Sequence, residues 1–154
     1  MRALLLSLLL FSSPALAQAQ PSPVQSGQVW ILAGVTADGE QFRSVLRLTR
    51  EAPKGQPWTY RADRGSLLYD ASVPSLVALD TVEAKAGGLA LACVSLSPAK
   101  GQTSWPGVLV SGGLAQVSAR LGDAFGVASV ARTPTDLKAA AAELRLGTCT
   151  LTRR

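Results

Sequence analysis

Residues 27–49 read GQVWILAGVTADGEQFRSVLRLT, and this stretch decides the fold. Val29, Ile31, Ala33 and Val35 alternate with Gln28, Trp30, Leu32 and Gly34. A period of two is the signature of a β-strand, whose successive side chains point to opposite faces. Both sets are largely apolar, which predicts a strand covered on both sides. Ala37-Asp38-Gly39-Glu40 follows, and Asp-Gly between two alternating runs is a hairpin signal. The return strand places Phe42, Ser44, Leu46 and Leu48 on one face and Arg43, Val45, Arg47 and Thr49 on the other, the pattern of a half-buried antiparallel strand.

The same grammar continues toward the C-terminus. Strand-like runs occupy Trp58–Ala62, Ser66–Asp70, Leu76–Ala84, Leu89–Leu96, Val108–Ser111, Leu114–Leu121, Phe125–Arg132 and Thr148–Thr152. Gly- and Pro-rich segments separate them: 52–57, Arg64-Gly65, 85–88, a longer loop at Ser97–Pro106, Gly112-Gly113 and Gly122-Asp123. One helix is predicted near Pro134–Arg145. Thr133 serves as N-cap, Pro134 as first helical residue and Asp136 as the anion near the positive end of the dipole. Leu137, Ala141 and Leu144 share one face, and Gly147 is placed to close the helix in a left-handed conformation. The fold class is therefore all-β: a small antiparallel sandwich or barrel of about eight to ten short strands with one C-terminal-proximal helix.

Upstream of residue 27 the composition changes. Arg2, an apolar run from Ala3 to Phe11, Pro14 and the small-x-small sequence Ala15-Leu16-Ala17 have the layout of a cleaved signal peptide. The apolar run is far shorter than the roughly 20 residues that span a bilayer. Residues 18–26, rich in Gln, Pro and Ser, read as a disordered tether, with a single β domain over 27–154. Cleavage after residue 17 of 154 leaves 137 residues, one domain by length. The predicted location is the periplasm or the extracellular space. In such a compartment Cys93 and Cys149, the only cysteines, pair as a disulfide joining the last strand to a central one.

Composition excludes several chemistries. The chain has no His, so Ser-His-Asp and Cys-His catalysis cannot be assembled. Its cysteines, if paired, are not zinc ligands, and no phosphate-cradling glycine loop or calcium-loop motif occurs. No cofactor is implied. The 15 Lys+Arg against 10 Asp+Glu are too dilute for a nucleic-acid footprint. Ser97-Pro98-Ala99-Lys100 matches an S-x-x-K string, but Pro98 and Gly101 argue for a turn, and the partner motifs of serine acyl-transferases are missing. Asp63, Asp70 and Asp80 lie in one stretch of chain and are the candidates for a glycosidase-like carboxylate pair.

Binding is better served than catalysis. Arg43 and Arg47 project from one face of a strand, with Arg61 on the next hairpin, and a basic patch there fits an anionic glycan, a lipid head group or an acidic envelope protein. Trp105, beside Pro106 in a Gly/Pro loop, is placed as an exposed ligand contact. The reading is an exported, non-enzymatic binding or interaction module. A small hydrolase using carboxylates or Ser/Lys, and a structural envelope protein, are the alternatives.

Overall fold

The computed structural model describes residues 24–50, 58–62, 65–70, 75–82, 89–95 and 102–154. The signal-like segment, residues 18–23 of the tether, Asp63, Arg64 and the Ser97–Lys100 string lie outside the described residues.

The hairpin is built as its residues dictate. β1 (Val29–Val35) pairs antiparallel with β2 (Gln41–Arg50), with Ile31 opposite Val45. Between them Thr36 N–H donates to Glu40 O at 2.8 Å and Gly39 N–H to Thr36 O at 3.0 Å. Gly39 sits at φ 88°, the left-handed conformation that glycine adopts at no steric cost. β3 (Trp58–Ala62), β4 (Gly65–Asp70), β5 (Ser75–Val82), β6 (Leu89–Ser95), β7 (Ser104–Gly113) and β8 (Gly147–Arg153) follow. Each strand pairs antiparallel with the next, and β8 returns to pair with β1, so the eight strands form a closed barrel. Of the two predicted architectures, the barrel is the one adopted.

Two features differ from expectation. The stretches read as strands at 114–121 and 125–132 form one continuous helix, α1 (Leu114–Val130), of 17 residues. Val117, Leu121, Ala124 and Ala128, spaced by four, three and four, turn one face onto the barrel wall. Gly122 falls inside α1 and is not a turn. Second, Trp105 and Pro106 are not in a loop but in β7, opposite Leu151 and Thr150 of β8.

α2 (Pro134–Glu143) stands where the sequence places it, with the Thr133 hydroxyl accepting from the Asp136 N–H at 3.1 Å. Its end is not closed by Gly147. The left-handed residue is Arg145, at φ 52°. Gly147 already belongs to β8, where a Cβ would run into Val35 O and lie 3.0 Å from Thr36 Cα. The Arg120 guanidinium of α1 donates to the carbonyls of Leu144 and Arg145, joining the two helices.

The apolar residues form two cores. The lumen holds Trp30, Leu32, Leu46, Leu67, Cys93, Trp105, Leu109 and Leu151. The second core lies outside the barrel, where Ala92, Val94, Val108 and Val110 of β6 and β7 meet Val117, Val127, Leu137 and Ala141 of the helices. β6 and β7 are thus the strands covered on both faces. Val24, in the segment read as a tether, is fully buried with the lumen core. The turn that seats Val24 is held by the Gln28 amide oxygen, which accepts from Gln25 N–H and from Trp30 Nε1–H, each at 3.0 Å.

The Cys93–Cys149 disulfide is present and crosses the lumen from β6 to β8, with Cα atoms 6.0 Å apart. β7 lies between those strands, and its Gly107 makes the crossing possible. A Cβ there would stand 3.0 Å from Cys149 Sγ and 2.6 Å from Val94 O.

Candidate functional site

A closed barrel has no unpaired edge, so its chemistry must reside in the lumen, at the ends or on the outer wall. Among the described residues no group of three or more His, Cys, Asp or Glu is arranged to hold a metal. Two of the three candidate aspartates, Asp70 and Asp80, stand on the β4–β5 ladder. Asp70 pairs with Ser75 at one end of the β4–β5 ladder, and Asp80 with Gly65 at the other. Five residue steps separate the two Cα positions by about 17 Å, well beyond the roughly 5–10 Å that glycosidases use. Asp63 and the Ser/Lys string lie outside the described residues.

The tryptophan expected at the surface is in the lumen. Trp105 is 2% exposed and packs on Trp30, with ring centroids 4.8 Å apart and planes tilted by 34°. Its Nε1–H finds no acceptor among the described residues. The wall of the barrel separates it from Arg43 and Arg47, so the four residues singled out in the sequence do not form one site.

Arg43 and Arg47 do share a surface. Both project outward from β2 and are exposed. They are four residues apart on a strand, about 13 Å. The register sets Arg61 opposite Arg50 at the far end of β2, and its side chain lies outside the described residues. On the other side of β1, Arg154 N–H donates to Val29 O at 3.0 Å, which fixes that residue beside β1. Arg47 is the β2 partner of Val29, so Arg47 and Arg154 flank the same valine.

Between these cations the wall is apolar. Val29, Ile31 and Ala33 are half-buried, Val35 is 37% exposed, and Val45 lies beside Ile31. The prediction that β1 is covered on both faces is therefore corrected. Its inner row fills the lumen, whereas the helices pack on β6 and β7 and leave its outer row open. An open depression of about 690 Å³ is lined by Val29, Ile31, Val45, Arg43, Arg47 and Arg154, together with the turn at 26–28. A second, of about 480 Å³, shares Arg43 with it and is lined also by Ala33, Gly34, Val35, Gln41 and Phe42. Arg154 and the apolar floor were not anticipated as parts of a site. The available signal was the apolar row of β1 set against the Arg43/Arg47 row of β2 in one hairpin.

The described lumen is apolar, whereas the interior of an outer-membrane barrel is polar. No described helix is long and apolar enough to cross a membrane. The fold and this face define an eight-stranded antiparallel barrel with a helical layer on one side and a cation-rimmed apolar groove on the other. Compared with protein-family models, curated proteins and solved structures, the chain matches none.

Proposed function

We infer that the protein is an exported, non-enzymatic binding module of the periplasm or extracellular space, and that it holds an anionic partner on the outer face of β1 and β2. The observation that carries this reading is the set of three arginines, Arg43, Arg47 and Arg154, around one apolar depression. Guanidinium groups stay charged at all physiological pH and present forked donors matched to carboxylate, sulfate and phosphate oxygens. The absence of histidine and the wide separation of Asp70 from Asp80 weigh against hydrolysis. Export is supported by the signal-like residues 1–17 and by the buried disulfide, a bond that persists in oxidising compartments.

The test is binding of the purified protein to dextran sulfate and to anionic phospholipid vesicles across a salt series. Exposed charges are screened within about 8 Å at physiological ionic strength, so affinity should fall steeply as salt rises. Replacing Arg43→Ser together with Arg47→Ser should weaken binding about tenfold or more at low salt, with thermal stability moved by less than about 0.5 kcal/mol. A double variant that binds both probes as well as the parent overturns the proposal. Mass spectrometry of the exported protein should find a mature N-terminus after Ala17 or Ala19; an intact Met1 terminus counts against export by cleavage.

A further inference from the structure

The groove has a direction, and the direction selects a ligand. At one end Arg47 and Arg154 stand on either side of Val29. At the other, beyond Val35, the hairpin carries the exposed carboxylates Asp38 and Glu40. An anionic head is attracted to the first end and repelled from the second. Between them the outer row of β1, Val29, Ile31, Ala33 and Val35, is apolar, and Arg43, opposite Ala33, borders both depressions. Val29 to Val35 spans six residue steps, about 20 Å. One acyl chain occupies about 15 Å in a bilayer leaflet, half of the roughly 30 Å hydrocarbon core, so a single chain fits the row.

The alternatives fit less well. β1 is hydrogen-bonded to β2 on one side and β8 on the other, so a peptide cannot add as a strand to this sheet. A glycan is commonly gripped by aromatic faces, but Trp30 and Trp105 are both in the lumen, and Phe42, which borders the second depression, packs against the lumen core. We propose that this groove holds a single-chain anionic amphiphile, a long-chain carboxylate being its simplest form, with the head between Arg47 and Arg154 and the chain along β1 toward Val35. The proposal rests on the anion-binding reading above and narrows it to one ligand class.

Isothermal titration of the purified full protein with saturated carboxylates of eight, twelve and sixteen carbons, each below its micelle concentration, tests this directly. A fully buried methylene is worth about fourfold in affinity, so a half-covered one should give about twofold per added carbon. The sixteen-carbon alcohol should bind at least about tenfold more weakly than the acid, because a charge-assisted hydrogen bond contributes roughly that factor or more. Arg47→Ser with Arg154→Ser should remove this difference between acid and alcohol. Val35→Asp, with folding checked by far-UV circular dichroism, should weaken the sixteen-carbon acid more than the eight-carbon acid.

Affinity independent of chain length, with dextran sulfate still bound through the arginines, overturns the amphiphile and leaves the anion reading standing. Equal binding of acid and alcohol overturns the polar-head assignment. Binding to anionic vesicles without binding to monomeric carboxylates makes the partner a bilayer surface and also overturns it. If carboxylates, dextran sulfate and anionic vesicles all fail to bind, both readings fall together.

Discussion

Arg145 and Gly147 stand two residues apart and carry opposite backbone demands. Arg145 holds φ 52°, a region where a Cβ costs about 1 kcal/mol and glycine costs nothing. Gly147 is needed for clearance, since β8 passes directly over the backbone of Val35 and Thr36. Arg145→Gly should therefore raise stability by about 0.5–1 kcal/mol, and Gly147→Ala should lower it by about 2 kcal/mol or more, because the obstructing atoms are backbone and cannot step aside. Urea midpoints of the two variants check this, and equal shifts would contradict it. The sequence signal at this point, a glycine after a helical run, was real but belonged to barrel closure. Trp105 teaches the same lesson. Its neighbours Pro106 and Gly107 read as loop residues, yet Pro106 is paired with Thr150 and Gly107 is the gap through which the disulfide crosses. A proline cannot donate to a ladder, so local reasoning placed it outside a strand.

At the scale of elements, α1 is where local preference and final structure disagree. Gly122 and Gly126 each cost a helix about 1 kcal/mol relative to alanine, and Gly122-Asp123 resembles a turn. The helix forms because Val117, Leu121, Ala124 and Val127 gain a partner in the outer faces of β6 and β7, and that gain exceeds the propensity loss. At its start the Gln116 side chain turns back to accept the Gly113 N–H at 3.1 Å. Neither glycine has any atom within 4 Å of where a Cβ would sit. Gly122→Ala and Gly126→Ala should each stabilise by about 0.5–1 kcal/mol and raise the helical circular dichroism signal. A loss of stability in both would mean that this segment is not a helix in solution. α2, by contrast, was legible at its start, where the Thr133 cap, Pro134 and Asp136 lie within four residues, but not at its end, where Leu144 is 44% exposed and Arg145 takes the left-handed conformation.

At the scale of the whole molecule, the disulfide and the β1–β8 pairing bring distant parts of the chain together. Cys93 and Cys149 are 56 positions apart. Removing such a cross-link restores loop entropy to the unfolded chain, roughly 4 kcal/mol in the chain-entropy account. Cys93→Ala with Cys149→Ala should lower the urea midpoint accordingly while the far-UV spectrum of the folded form stays that of a barrel, since the lumen remains apolar. An unchanged midpoint would show that the bond does not constrain the unfolded state. Closure also produces the asymmetry on which the proposed binding face rests. With two helices covering one side, the opposite wall is left open, and the outer row of β1 becomes the floor of a groove instead of a buried layer.

The sequence by itself determined what depends on short range or on counting: the period-two strands, the Asp38-Gly39 hairpin, α2, the pairing of the only two cysteines and the outward row of Arg43 and Arg47. These follow from backbone geometry within a few residues, or from there being a single possible partner. Only the tertiary structure decided which apolar faces found cover. The β1 outer row and the α1 stripe are both apolar, and nothing local says that one packs on β6 and β7 while the other stays at the surface. That choice follows from barrel closure, which pairs β1 with β8, sends Trp105 into the lumen and brings Arg154 beside Val29. The reason is physical: burial is settled by where the chain's distant segments meet, and a residue's own neighbours in sequence carry no record of that meeting.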